Sequence, residues 1–164
     1  MYQLIKHKPN QGPWNKGKLV GQKLPLKLQE IWAIRICLQI HGRNRDLALF
    51  NLAIDSKLRA CGLLRLRVSD VSNGGRVGSR AMIMQKKTNR PVQFEITPRT
   101  RESVTKWIQF AGLGGTAYLF PSRVNRSFHV STRQYGRIVE TWITGIGLDS
   151  TAYGTHSLRR TKSF

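Results

Sequence analysis

The hydrophobic period of this chain changes twice, and the change limits the folds open to it. Apolar residues recur at helical spacing from Leu28 to Ile54 and again from Val104 to Ile146. Between them, from Ser72 to Ile96, the spacing becomes that of strands. Ala81-Met82-Ile83-Met84 and Val92-Gln93-Phe94-Glu95-Ile96 are strand-like, the second alternating apolar and polar. Lys86-Lys87-Thr88-Asn89-Arg90-Pro91 predicts a hairpin tip between them, and Ser72-Asn73-Gly74-Gly75 a turn. A hairpin set among helices predicts an α+β fold, mostly helical, with a small antiparallel β-sheet.

The helical stretches carry their own start and stop signals. After Pro25, Leu28, Ile31, Ile34 and Leu38 share a face, with Trp32 and Ile36 beside them, and His41-Gly42 ends the pattern. Asn44 reads as the next N-cap, with Asp46 in the first turn and Leu47, Phe50, Ala53 and Ile54 as the buried face. Lys57 to Val71 reads as a short helix carrying Leu63 and Leu64, then a turn into a strand. Thr97-Pro98 opens another helix, Thr as cap and Pro in the first turn, with Val104, Trp107, Ile108 and Ala111 inward. Tyr118 to Ser122 is a short buried piece. Ser131 or Thr132 caps the clearest helix, whose stripe of Tyr135, Ile138, Val139, Trp142, Ile143 and Ile146 is core, closed by Gly147. His41 and His129 read as loop residues.

Charge narrows the partners. Lys plus Arg number 28 against 8 Asp plus Glu, a formal net charge of +20. The default partner of such a chain is a polyanion, nucleic acid before a membrane surface. A hydrophobic content of 40% is enough for a core, and 164 residues suit one domain with or without an arm. No apolar run approaches the length of a membrane span, and Met1 to Gly12 is polar and basic, unlike a signal peptide. Residues 1–25 are rich in Lys, Gly, Asn and Pro and read as a basic flexible arm along a phosphate backbone, or equally as a plain leader. Trp14 is its anchor candidate, and Lys16 and Lys18 are its candidate nucleic-acid contacts. Cys37 and Cys61 sit in apolar helical patterns and read as reduced core residues, and no Cys/His set has zinc spacing, so no metal site is expected.

The stretch Gly154-Thr155-His156-Ser157-Leu158-Arg159-Arg160-Thr161 carries the clearest chemistry. At helical spacing His156 and Arg159 share one face, and Leu158 between them can enter a core. A donor of variable protonation beside a fixed bidentate cation suits a phosphodiester. A basic helix start with an incidental histidine fits the spacing equally well.

Lys57-Leu58-Arg59-Ala60-Cys61-Gly62-Leu63-Leu64-Arg65-Leu66-Arg67-Val68-Ser69-Asp70 resembles the first arginine box of the tyrosine recombinases, the phage-type integrases. Arg59 falls on the arginine of that box. Gly62 stands where the family often has an acidic residue that helps hold it. The hairpin resembles the one that carries the family's catalytic lysine before a threonine, with Lys87 as the match and Lys86 as the fallback. The family's His-x-x-Arg box matches His156 and Arg159. The resemblance covers Pro25 to Thr161, in family order.

This resemblance implies the tyrosine recombinase catalytic-domain fold over residues 26–164 and a transesterification at a phosphodiester through a phosphotyrosine, serving site-specific DNA recombination and integration. Arg59 and Arg159 would fork onto the non-bridging oxygens and stabilise the charge of a phosphorane-like state. Lys87 would protonate the leaving 5′ oxygen, and His156 would hydrogen-bond the phosphate. Lys86, Arg90 and Arg160 join Lys16 and Lys18 as DNA contacts. The implied partner is double-stranded DNA, on which further recombinase subunits can assemble. No cofactor is implied, and the implied location is cytoplasmic and nucleoid-associated. The family places its nucleophilic tyrosine downstream of the His-x-x-Arg box. Tyr2, Tyr118, Tyr135 and Tyr153 all precede it, and the nucleophile is assigned to none of them. The expectation is therefore a catalytic domain truncated at its carboxy terminus. Its rivals are an inactive DNA-binding remnant and an unrelated basic nucleic-acid-binding protein.

Overall fold

The computed structural model describes residues 22–162. The order of elements is α1 (Leu28–Ile40), α2 (Asn44–Ser56), α3 (Ala60–Leu64), α4 (Val68–Val71), β1 (Ser72–Asn73), β2 (Arg76–Val77), β3 (Arg80–Met84), β4 (Pro91–Glu95), α5 (Pro98–Ala111), α6 (Thr132–Gly145) and α7 (Thr155–Arg160). Helices dominate, and the strands form two separate two-stranded antiparallel sheets.

The fold is built round α2, which is buried from Ala48 to Ser56 without a break. A helix covered on every side is a core helix. Its main neighbour is α5, with α1 and α7 also packed on it. Polar groups join three of these helices inside the core. Arg35 Nε donates to Asn51 Oδ1 at 2.7 Å, Asn51 Nδ2 donates to Ser103 Oγ at 3.1 Å, and Ser103 Oγ donates to the Thr100 carbonyl. These contacts satisfy groups that would otherwise be buried without partners. On another side of α2, α6 buries Tyr135, Val139, Trp142 and Ile143. Trp142 meets Phe50 edge-on at 5.5 Å and donates from Nε1 to Asp46 Oδ2 at 3.2 Å.

The β3–β4 hairpin pairs Ala81 with Phe94 and Ile83 with Val92. Alternation sends Ala81 and Phe94 into the core and leaves Met82 67% and Met84 61% exposed on the opposite face. The smaller β1–β2 hairpin turns through Gly74 and Gly75, at φ 59° and 81°, values that a side chain would resist.

Several local expectations are corrected. Leu28 is 45% exposed, because with Trp32 and Ile36 it lies on the outer i, i+4, i+8 face of α1, while Ile31, Ile34, Arg35 and Leu38 form the buried stripe. Cys37 is half-buried and Cys61 exposed, so neither is a core residue. The inward positions of the short α3 go to Leu63 and Leu64 instead. The segment after Arg67 does not enter a strand directly. Asp70 Oδ2 accepts from the Arg67 N–H at 2.7 Å and starts α4, so the first strand, β1, begins only at Ser72. The N-cap of α2 is Arg43, one residue before Asn44. Thr97 occupies the N-cap position of α5, but its hydroxyl donates to Asp55 Oδ2 at 2.9 Å rather than capping the helix.

Candidate active site

The end of α2 sets the site. Lys57 takes a left-handed conformation, φ 58°, unusual for a residue with a side chain, and turns the chain sharply. Ser56 Oγ accepts from the Leu58 N–H at 3.2 Å, and Leu58 is buried, so the turn is anchored on both sides. Arg59 follows as the N-cap of α3 with extended backbone. Its side chain is exposed and has no hydrogen-bond or ion-pair partner among the described residues.

The carboxy-terminal α7 is brought to the same turn. Leu158 is buried, and Ser157 and Thr161 are fully buried polar residues with internal partners. Ser157 Oγ accepts from the Gly154 N–H at 3.0 Å. Thr161 Oγ1 donates to the Ser157 carbonyl at 2.7 Å and accepts from the Leu26 N–H at 2.9 Å. So held, α7 presents Arg159, whose Nε donates to the Lys57 carbonyl at 3.0 Å. One arginine thus braces the turn that carries the other.

The hairpin tip closes the third side. Asn89, at φ 53°, lets the chain reverse, and its N–H donates to the Gln85 carbonyl at 2.8 Å. The result is a groove of about 1170 Å³ whose lining includes Arg59, Arg65, Lys86, Lys87 and Arg159, with Asp70 as its acidic group. Met82 and Met84 form an apolar wall, and Cys61 and Gly62 also line the groove. Five cations facing one carboxylate make a trap for a polyanion. The guanidiniums can each take two oxygens of one phosphate, and the lysines act as point charges. A Cβ added at Gly62 would meet only Leu58 side-chain atoms, at 4.0 Å, so a small side chain has room at this position of the groove. Among the described residues, no three His, Cys, Asp or Glu side chains gather closely enough to hold a metal ion.

The structure therefore brings Arg59, Lys86, Lys87 and Arg159 together. His156 lies one turn before Arg159 on α7, exposed and outside the groove lining. Arg160 is exposed and donates to the Lys23 carbonyl at 3.3 Å, and Arg90 is exposed at the hairpin and outside the lining. Lys16 and Lys18 fall outside the described residues. None of the described tyrosines lines the groove. Tyr135 is buried in the core, and burial raises its pKa. The Tyr118 ring lies under the Arg67 guanidinium at 4.1 Å. Tyr153 is half-buried, and burial together with the Glu30 carboxylate raises its pKa.

Compared with known sequences, residues 30–164 match the phage integrase family. The chain belongs to that family. A search of curated proteins found no sequence match. Among solved structures, this phage integrase family chain is similar to XerA recombinase, with a TM-score of 0.68 and 15% identity over 85% of this chain and 48% of that one. It is similar to XerH site-specific recombinase bound to a difH substrate, with a TM-score of 0.63 and 19% identity over 85% of this chain and 42% of that one. Lambda integrase bound to DNA gives a TM-score of 0.62 and 18% identity over 84% of this chain and 48% of that one. The chain spans less than half the length of each of these three relatives, and at such identities they show a shared fold.

Sequence reasoning missed Arg65, Cys61, Met82 and Met84 as groove residues of this family member. The methionines were legible, since strand alternation places them opposite the buried Ala81. Cys61 and Arg65 were not, because a five-residue helix offers too short a period to assign faces.

Proposed function

We propose that this chain is a DNA-binding catalytic domain of a site-specific DNA recombinase or integrase, engaging one phosphodiester of duplex DNA in the groove between α3, α7 and the β3–β4 hairpin. The observation that carries the reading is the convergence of Arg59, Lys86, Lys87 and Arg159, from three distant stretches, on one groove. Arg59 and Arg159 fork onto the non-bridging oxygens and stabilise charge that grows as the phosphorus becomes five-coordinate. Lys87 delivers a proton to the leaving 5′ oxygen. His156 closes on the phosphate by a side-chain rotation from its exposed position on α7. The +20 charge and the solved relatives bound to DNA support double-stranded DNA as the partner. Residues 1–25 serve as a basic arm on the same duplex, with Lys16 and Lys18 as contacts, and 26–164 as the catalytic-domain portion.

A second reading, DNA binding without strand cleavage by residues 1–164 alone, is favoured by one observation: no described tyrosine lines the groove. Fluorescence anisotropy with duplex DNA across a salt series tests what the two readings share. Each neutralised phosphate contributes a slope of about −0.9 in log K against log salt. Arg59→Ala is expected to lower the slope by about one such unit while thermal unfolding is unchanged, since Arg59 has no internal partner. Arg159→Lys keeps a charge but loses the fork, and is expected to bind more weakly than wild type. No binding at low salt would refute both readings.

A further inference from the structure

A second pocket lies at the other end of α2. It has a volume of about 360 Å³, and its lining includes Arg43, Asn44, Arg45, Arg123 and Arg126. Phe110, 73% exposed, stands at its rim as an apolar wall. The charge here is unbalanced. Asp46 is the acid of the lining, and it is already engaged, by Arg45 at 3.0 Å and by Trp142. Arg43, Arg123 and Arg126 are exposed and make no side-chain hydrogen bond or ion pair among the described residues. Arg45 Nη1 is buried beside the pocket with no hydrogen-bond partner. Four guanidiniums therefore line one pocket that holds one acidic group, two from the start of α2 and the turn before it and two from the loop before α6, segments about 80 residues apart in sequence. Like charges so close repel, and an arrangement of this kind is relieved by an anion between them. The first N–H groups of α2 add partial positive charge, and no side-chain cap occupies that end.

We infer that this arginine pocket binds phosphates of the same duplex that occupies the groove, as a second anchoring point. The inference rests on the groove's role as a DNA site. The spacing fits, because α2 has 13 residues and separates the two sites by about 20 Å at 1.5 Å per residue. That distance corresponds to roughly six base pairs at about 3.4 Å each. A duplex that runs from the groove in the direction of the pocket has phosphates at that distance. The planar forks of Arg123 and Arg126 suit bidentate capture of phosphate oxygens, and Phe110 offers a surface for the adjoining sugar.

The test compares four proteins, wild type, the Arg59→Ala variant and two double variants, by anisotropy with a 24-base-pair duplex over a salt series. The double variant Arg123→Ala/Arg126→Ala is expected to lower the salt slope by about 1.8, two phosphates' worth. The charge-matched control Arg76→Ala/Arg137→Ala, changed at exposed residues outside the pocket, is expected to shift it far less. Equal shifts in the two doubles would overturn the inference, since only net charge would then matter. So would no shift in the pocket double while Arg59→Ala still lowers the slope, and that result would leave the groove's role intact. Loss of all binding by wild type would instead sink the groove reading. Titration with pyrophosphate at constant ionic strength separates another source of the same chemistry. Pyrophosphate binding that the pocket double abolishes, with its DNA slope unchanged, would assign the pocket to a small anion and refute the duplex.

Discussion

At the residue scale, the most consequential position is Gly62. It sits in the middle of α3, has open space where a Cβ would stand, and lines the same groove as Arg59. Glycine in a helix costs about 0.5–1 kcal/mol relative to alanine, through lost backbone entropy. Gly62→Ala is therefore expected to raise stability by about that amount in urea unfolding. Gly62→Asp is expected to keep the fold and set a carboxylate beside Arg59, slowing hydrogen exchange of its guanidinium in an NMR spectrum. If exchange is as fast as in wild type, the open space does not face Arg59. Tyr135 gives a second residue-scale test. Burial raises its pKa in the folded state above the ordinary value near 10, because an ionised ring would be stranded in the core. Stability from the neutral ring is then complete below pH about 10, and drains at up to about 1.4 kcal/mol per pH unit above it. Tyr135→Phe is expected to lose less stability than wild type between pH 10 and 11, by urea midpoints. Parallel losses would mean that the hydroxyl reaches water.

At the scale of elements, the joint between α1, α2 and α5 is polar where a core is usually apolar. Arg35 is almost fully buried, and its pKa is lowered by burial and by the nearby Arg99 guanidinium. Arg99 in turn lies over the Trp32 ring at 4.0 Å. Asn51 is the hinge of the joint, accepting from Arg35 and donating to Ser103. Asn51→Ala strands a buried guanidinium and is expected to cost about 2–3 kcal/mol in denaturant unfolding. Replacing both partners, Arg35→Leu/Asn51→Leu, is expected to cost less than Asn51→Ala alone, since no charged group is then left unpaired. A double variant as unstable as the single one would mean that packing, not polar pairing, governs the joint.

For the whole molecule, the decisive question is covalent chemistry. A nucleophile must sit about 3–3.5 Å from the phosphorus and in line with the leaving oxygen. Tyr118, Tyr135 and Tyr153 are each engaged elsewhere, by Arg67, by the core and by the side near Glu30. Residues 1–164 alone are expected to give no covalent adduct with a nicked duplex on a denaturing gel. An adduct abolished by Tyr153→Phe would make Tyr153 the nucleophile, and one abolished by Tyr2→Phe would assign it to a residue outside the described region.

The amino-acid sequence by itself determined the four long helices α1, α2, α5 and α6, the β3–β4 hairpin and the identity of the basic groups. Those signals are local: the stripe of α6 is fixed by 3.6-residue spacing, and the hairpin by alternation broken at Lys86–Pro91. It also contained Arg59, Lys87 and Arg159 in order. What only the tertiary structure decided is which of these meet. The Arg159 bond to the Lys57 carbonyl spans 102 positions, and the Thr161 bond to Leu26 spans 135. No periodicity reports a contact of that range, because it depends on how buried faces stack rather than on how a face forms. For the same reason the sequence placed Cys61 in the core and did not foresee the arginine pocket. One half belongs to the start of α2 and the turn before it, the other to the loop before α6, and only the packing of the core sets them side by side.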